Sequence, residues 1–230
     1  MGAWLSATEA EAVRLSLIVS AASVLLGLPL AVAAAYALAR GRFTGRAVLD
    51  AVVHLPLVMP PVVVGWGLLL LFGIQGPLGR LLLSVFGVRL VFTTAGAVLA
   101  TAVMAFPLMV RAVRLSLDGV DRGLEAAART LGAGPVDGFV TVTLPLLAPG
   151  ILSGAVVAFA AGLGEFGAVI TFASNIEGQT QTLPLAIYAA TQSPGAEGTA
   201  AKLSAISFGL AIALLLLSDV LSKALRRRLG

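Results

Sequence analysis

The sequence predicts an all-α integral membrane protein with five transmembrane helices, and three observations carry that reading. Hydrophobic residues make up 59% of the 230 residues and charged residues only 11%, whereas soluble domains run at about 45–50% apolar and about 25% charged. Apolar stretches of the roughly 20 residues that a helix needs to cross hydrocarbon recur along the chain, with polar breaks between them. The 15 Lys and Arg, against 11 Asp and Glu, gather in alternate breaks, as the positive-inside bias requires of a multi-pass protein. One membrane domain over residues 1–230 is the simplest organisation.

Residues 15–38 make the first span; Gly27, Leu28 and Pro29 predict a kink within it, and a basic loop with Arg40, Arg42 and Arg46 closes it. The second, residues 52–72, is rich in Val and Leu but contains Pro56, Pro60 and Pro61, each of which kinks or unwinds a helix by removing a backbone donor. Residues 73–92 are apolar yet interrupted by Gly76, Pro77, Gly79 and Gly87, with Arg80 and Arg89 among them. That pattern predicts a short interfacial helix and loop. The third span, residues 95–113, ends in Arg111 and Arg114, which share a helix face at i and i+3. Residues 116–140 then mix Asp118, Asp121, Arg122, Glu125, Arg129 and Asp137 with alanines, the longest water-facing segment between spans. The fourth span, residues 146–171, is entered through Pro145 and Pro149 and holds one carboxylate, Glu165, between Gly164 and Gly167. Residues 174–202 are polar, with a short helix expected at 185–190. The fifth span, residues 204–221, runs into Lys223, Arg226, Arg227 and Arg228.

With the N-terminus outside, the inner side collects Arg40, Arg42, Arg46, Arg111, Arg114, Arg122, Arg129, Lys223, Arg226, Arg227 and Arg228, eleven residues, and the outer side keeps four, Arg14, Arg80, Arg89 and Lys202. This asymmetry places residues 116–140 in the cytoplasm and the C-terminus inside. It also explains the high pI through topology and lipid-headgroup contact rather than nucleic acid. The alternative has six spans, with residues 73–92 or 182–190 entering the bilayer, but an extra crossing sets one end of the chain against the charge bias. Residues 1–11 carry two acids and no base, the wrong charge for a secretory signal, so the first apolar stretch is expected to be retained.

Chemistry is narrowed by what the chain lacks. It has no cysteine and a single histidine, His54, which excludes a disulfide framework, a thiolate metal site, a thiol nucleophile and a His-based zinc site within one subunit. No Gly-x-x-x-x-Gly-Lys-Ser/Thr phosphate loop occurs, so if ATP drives this protein it is hydrolysed in trans. A secondary transporter would need several coupling acids or repeated broken halves; Glu165 stands nearly alone. For Glu165 a structural hydrogen bond or ion pair is the leading reading, ahead of contact with a substrate, and His54 reads as a packing or interfacial residue. Pro56, Pro60 and Pro61, with Gly164, Glu165 and Gly167, are the candidate pathway or gate, with simple kinking the equal alternative for the prolines.

The segment from Glu125 through Ala126, Ala127, Ala128, Arg129 and Gly132 to Pro145 is the most informative. Its alanine-rich residues 124–131 favour a helix, residues 132–135 stop it, and a second short turn leads to Pro145. Two brief helices at the membrane surface make a unit able to dock in a groove of another protein, with Glu125, Arg122 and Arg129 offering charge pairing at its rim. The same residues resemble the cytoplasmic signature loop of ATP-binding-cassette importer permeases: a Glu-Ala-Ala triplet, then Gly, then Leu-Pro. Counted back from Gly132, the family's Glu position falls on Ala126, so Glu125 sits one residue early, about 100° round a helix.

Residues 54–65, 106–114 and 163–175 are similar to the bacterial molybdate permease subunits, and the resemblance covers residues 10–225. It implies a type I importer permease fold in the bacterial cytoplasmic (inner) membrane and a homodimer around a central path for molybdate, with tungstate or sulfate as alternative cargoes. It further implies two copies of a cytoplasmic ATP-binding subunit that use ATP and Mg, and a periplasmic or extracellular oxyanion-binding protein. Catalytic residues, metal and cofactors are not expected on this chain.

Overall fold

The computed structural model describes residues 4–229. The side chains of residues 218, 219 and 221–230 lie outside that description, the terminal cluster Lys223 and Arg226 to Arg228 among them. Helix α1 (Ala7–Arg40) starts on a capping box: Ser6 Oγ accepts the Glu9 N–H and the Glu9 carboxylate accepts the Ser6 N–H, satisfying donors that helix geometry leaves orphaned. Its 34 residues make a rod of about 51 Å, longer than a hydrocarbon core of about 30 Å. The kink expected at Pro29 does not interrupt it. A freed backbone group in lipid costs several kcal/mol, so α1 keeps its remaining ladder, and Gly27 serves instead as a notch: a Cβ there would sit 2.7 Å from Met109 Cε.

Helices α2 (Arg46–Val58) and α3 (Pro61–Phe72) replace the single second span, bent by 119° at their junction. Pro60 forces Met59 into extended backbone, φ −79° and ψ 144°, and Pro61 opens the next helix where its missing N–H costs nothing. Pro56 remains inside α2. α4 (Pro77–Phe86) follows as a ten-residue helix, and α5 (Thr94–Asp118) begins on Thr93, whose Oγ1 accepts the Gly96 N–H. The bent pair still carries the chain across. Asp50 of α2 meets Arg114 near the end of α5 at 2.9 Å, whereas Phe72, closing α3, borders the same cavity as Ala95 at its start. Those two points on α5 are separated by roughly 28 Å of helix.

α5 is the central rod, packed against α1 and α8 (Leu144–Leu163). Small residues let the backbones approach: Ala31, Ala35, Ala100, Ala105 and Ala158 are buried. Ser23 Oγ of α1 lies 2.6 Å from Val19 O and 2.9 Å from Val98 O, linking α1 to α5. The fourth span is also broken. α8 ends at Leu163 and α9 (Gly167–Phe172) starts anew after residues 164–166. α10 (Leu183–Thr191) covers the expected short helix, and α11 (Glu197–Leu229) begins before residue 204.

Among the described residues four helices are long and apolar enough to cross a membrane, and the α2–α3 pair, which passes the same test together, raises the count to as many as five. α4 and α10, ten and nine residues long, fall well short of the roughly 20 residues a crossing needs. One end of the bundle gathers the starts of α1, α5 and α11 with α9 and α10, joined by Lys202 Nζ on Glu9 Oε1 at 2.6 Å and by the Leu183 N–H donating to Ser16 Oγ at 2.6 Å. The opposite, arginine-rich end holds the end of α1, the start of α2, the end of α5 and the segment that precedes α8.

Candidate functional site: a docking helix and two broken spans

At the arginine-rich end, α5 extends through Asp118, so the first three residues of the 116–140 segment are helical. α6 (Arg122–Thr130) is capped by Asp121 Oδ1, which accepts the Gly123 N–H at 2.8 Å. Gly132 ends the helix with φ +91°, a conformation that side chains other than Gly rarely adopt. A side chain there would meet nothing within 4 Å, so within this chain the glycine serves the turn and not a close approach. α7 (Pro135–Gly138) is one turn long, and a π turn, Phe139–Thr143, runs without a gap into α8. Pro145 therefore lies within the first turn of α8. The second short turn expected from sequence is in fact a continuous splice between loop and span.

The two faces of α6 differ. Arg122, Glu125, Ala126 and Arg129 share the face that borders a polar groove against Tyr36, Arg40 and Arg42. Glu125 is turned inward: its Oε1 lies 3.2 Å from Arg40 Nε and 3.4 Å from Thr143 Oγ1. Arg40 Nη2 donates to Leu117 O at 3.0 Å and Val120 O at 3.2 Å. With side chains only 10% and 13% exposed, this pair joins the end of α1, the end of α5, α6 and the π turn. The Glu125 carboxylate is thus engaged by an ion pair within the chain rather than offered at the rim. On the opposite face Leu124 and Leu131 are 47% and 89% exposed, with Ala127 between them and Val136 of α7 nearby in sequence at 75%. A contiguous exposed apolar strip of that kind marks an interaction surface, for a protein or for the membrane.

The breaks of the two interrupted spans meet each other. A Cβ at Gly167 would lie 2.6 Å from Pro61 Cβ, and one at Gly65 would lie 2.8 Å from both Ala168 O and Thr171 Cβ. α3 and α9 therefore interlock through glycines directly beside the Pro60–Pro61 and Gly164–Glu165 breaks. Glu165 Oε1 accepts the Ala168 N–H at 2.8 Å, satisfying a donor at the start of α9. Pro56 stands apart, on an apolar cavity of about 670 Å³ bordered by α1, α2 and α5. His54 pairs on its own helix with Asp50, Nδ1 to Oδ1 at 3.2 Å, and Asp50 also holds Arg114. The sequence held a signal for that pair in the i, i+4 spacing, but none for the Arg40–Glu125 tie or the Gly65 notch, whose members lie far apart in the chain. Among the described residues no three His, Asp or Glu come together as metal ligands.

Capping predicts how Glu165 responds to change. Glu165→Gln keeps an acceptor oxygen, so assembly and most transport should survive, whereas Glu165→Ala loses a cap worth about 1 kcal/mol. Thermal unfolding in detergent and uptake by reconstituted vesicles read the two effects. Loss of uptake in a well-assembled Gln variant would show that the charge itself acts.

The bundle thus combines two interlocked interrupted spans with a surface helix spliced into one of them. Residues 27–230 match the family described as binding-protein-dependent transport system inner membrane component, and the chain belongs to that family. Over 222 residues it is 55% identical to the molybdenum transport system permease protein ModB of Escherichia coli, covering 96% of this chain and 97% of that one. The ModB protein of Haemophilus influenzae is 51% identical over 222 residues, with the same coverage of 96% and 97%. Among solved structures, a bacterial alginate ABC transporter in complex with an alginate pentasaccharide-bound periplasmic protein superposes with a TM-score of 0.76 at 18% identity, over 96% of this chain and 80% of that one. That likeness establishes the shared fold.

Proposed function

We propose that this chain is the membrane-spanning subunit of an ATP-binding-cassette importer for molybdate, working as a homodimer with two copies of a cytoplasmic ATPase and loaded by a periplasmic or extracellular oxyanion-binding protein. The observation that carries the reading is α6, whose exposed Leu124–Ala127–Leu131 strip faces away from the bundle at the arginine-rich end while its other face is bolted to the spans by Arg40 and Glu125. The strip is the docking surface for the ATPase, which hydrolyses ATP with Mg as its cofactor. Movement of α6 passes along the π turn into α8 and through the Arg40–Glu125 pair into α1 and α5. From α8 it reaches the break at residues 164–166, which is locked against α3. Separating the α3–α9 contact opens the path between protomers, so the bent spans act as the gate. This chain performs no covalent chemistry.

Orientation follows the charge bias, with the N-terminus outside and the C-terminus inside. In this cysteine-free chain, single cysteines at Ala7, Thr44 and Gly230 report on it through a membrane-impermeant thiol reagent applied to intact cells. Labelling is expected at Ala7 alone, and protection at Ala7 overturns the orientation. The cargo is tested with the reconstituted transporter and its binding protein. Molybdate should stimulate ATP hydrolysis; stimulation by sulfate and not by molybdate would refute the assignment.

A further inference from the structure

The groove between the end of α1 and the inner face of α6 has a volume of about 430 Å³ and is bordered by Tyr36, Arg40, Arg42, Arg122, Glu125 and Arg129. Four arginines therefore border one groove with a single carboxylate, and that carboxylate is engaged by Arg40. Among the described residues, Arg42, Arg122 and Arg129 have no carboxylate within ion-pair distance, since the pairs present are Arg14–Glu11, Arg40–Glu125, His54–Asp50, Arg114–Asp50 and Lys202–Glu9. Like charges brought to one groove repel, and an anion between them removes that repulsion. The planar fork of arginine matches phosphate oxygens two at a time. The surroundings favour a phosphate carried on a lipid over a free one. The groove lies at the end of α1, a helix long and apolar enough to cross a membrane, and Tyr36 on its wall packs edge-on against Phe139 with ring centroids 5.0 Å apart. Tyrosine is enriched at the level of headgroups, and basic pockets among transmembrane helices take anionic headgroups.

We infer that this groove is a binding site for the phosphate headgroup of an anionic phospholipid, which bridges Arg42 after α1 to Arg122 and Arg129 of α6. A bound headgroup clips the docking helix to α1 beside the Arg40–Glu125 pair, making the stiffness of the coupling element depend on the membrane around it.

The test uses the full chain in nanodiscs of phosphatidylcholine with a minor fraction of phosphatidylglycerol, with retained lipid counted by native mass spectrometry after gentle extraction. At roughly fivefold per basic residue, the paired substitution Arg42→Gln and Arg122→Gln should lower phosphatidylglycerol retention about twenty-five-fold. Arg46→Gln, which lies outside the groove, should leave it unchanged, and thermal unfolding confirms that each variant is folded. Equal retention by the paired variant and the native chain overturns the site. A parallel arm adds inorganic phosphate at millimolar concentration. Persistence of the lipid supports the headgroup assignment, while displacement by free phosphate overturns it in favour of a soluble anion. Loss of the lipid on addition of the ATPase subunit assigns the groove to an acidic side chain of that partner and overturns it as well.

Discussion

Leu131→Asp should strip the ATPase from the membrane subunit while leaving the helical bundle folded. Leu131 is 89% exposed, so its replacement removes no packing within the chain. At the docking face it would place an unpaired carboxylate where an apolar side chain is buried. Truncating a hot-spot residue costs about 2 kcal/mol or more, and burying an uncompensated charge adds to that, so docking should weaken at least a hundredfold by about 1.4 kcal/mol per decade. Co-purification with a tagged ATPase reads the loss directly. Retention of the ATPase at native levels would mean that the apolar strip is not the docking surface. Glu125→Gln gives the complementary outcome. Its side chain faces Arg40 rather than the partner, so the ATPase stays bound, but a largely buried guanidinium loses its counter-charge and substrate-stimulated hydrolysis should fall severalfold. Within the chain Gly132→Leu is opposed by backbone strain of about 1–3 kcal/mol, since a Cβ there meets nothing within 4 Å.

The difference between Leu131 and Glu125 also shows where sequence reading reached its limit. The short alanine-rich helix, its stop at Gly132 and its place between the third and fourth spans follow from local propensity, and local rules suffice for them. Which face of that helix turns inward depends on Arg40, 85 residues away, and nothing in the local pattern encodes that distance. Prolines give the same lesson. Pro29, Pro107 and Pro149 all sit inside continuous helices, whereas Pro60 and Pro61 part α2 from α3. Two adjacent prolines remove consecutive donors and restrict the residue before them, which one proline does not. The break at residues 164–166 contains no proline at all. Composition there shows glycines and one acid in an apolar run, a pattern equally compatible with an unbroken span. The crossings were legible because a hydrocarbon core demands apolar length; the interruptions arise from packing between spans, which length and composition do not encode.

Those interruptions carry the second large effect, expected from Gly65→Val. A Cβ on Gly65 would lie 2.8 Å from Ala168 O and 3.1 Å from Ala168 Cα, both backbone atoms of α9, so no side-chain rotation relieves the clash and the helix itself has to move. Overpacking of this kind costs about 1–3 kcal/mol. In a gate the cost falls on whichever state holds α3 and α9 in contact, and a bias of about 2 kcal/mol changes the ratio of closed to open states by about thirtyfold. The expected result is a correctly inserted subunit that binds its ATPase but transports at a small fraction of the native rate, with ATP hydrolysis no longer dependent on cargo. Gly67→Val is the control. It sits on the same helix two residues on, and a Cβ there meets nothing within 4 Å, so the substitution leaves the contact untouched and transport should stay near native. Because neither change touches α6, retained ATPase in both variants separates a defect in the gate from a defect in docking. Equal transport by the Gly65 and Gly67 variants would show that the interlocked breaks are static packing, and that the moving contact lies elsewhere in the bundle.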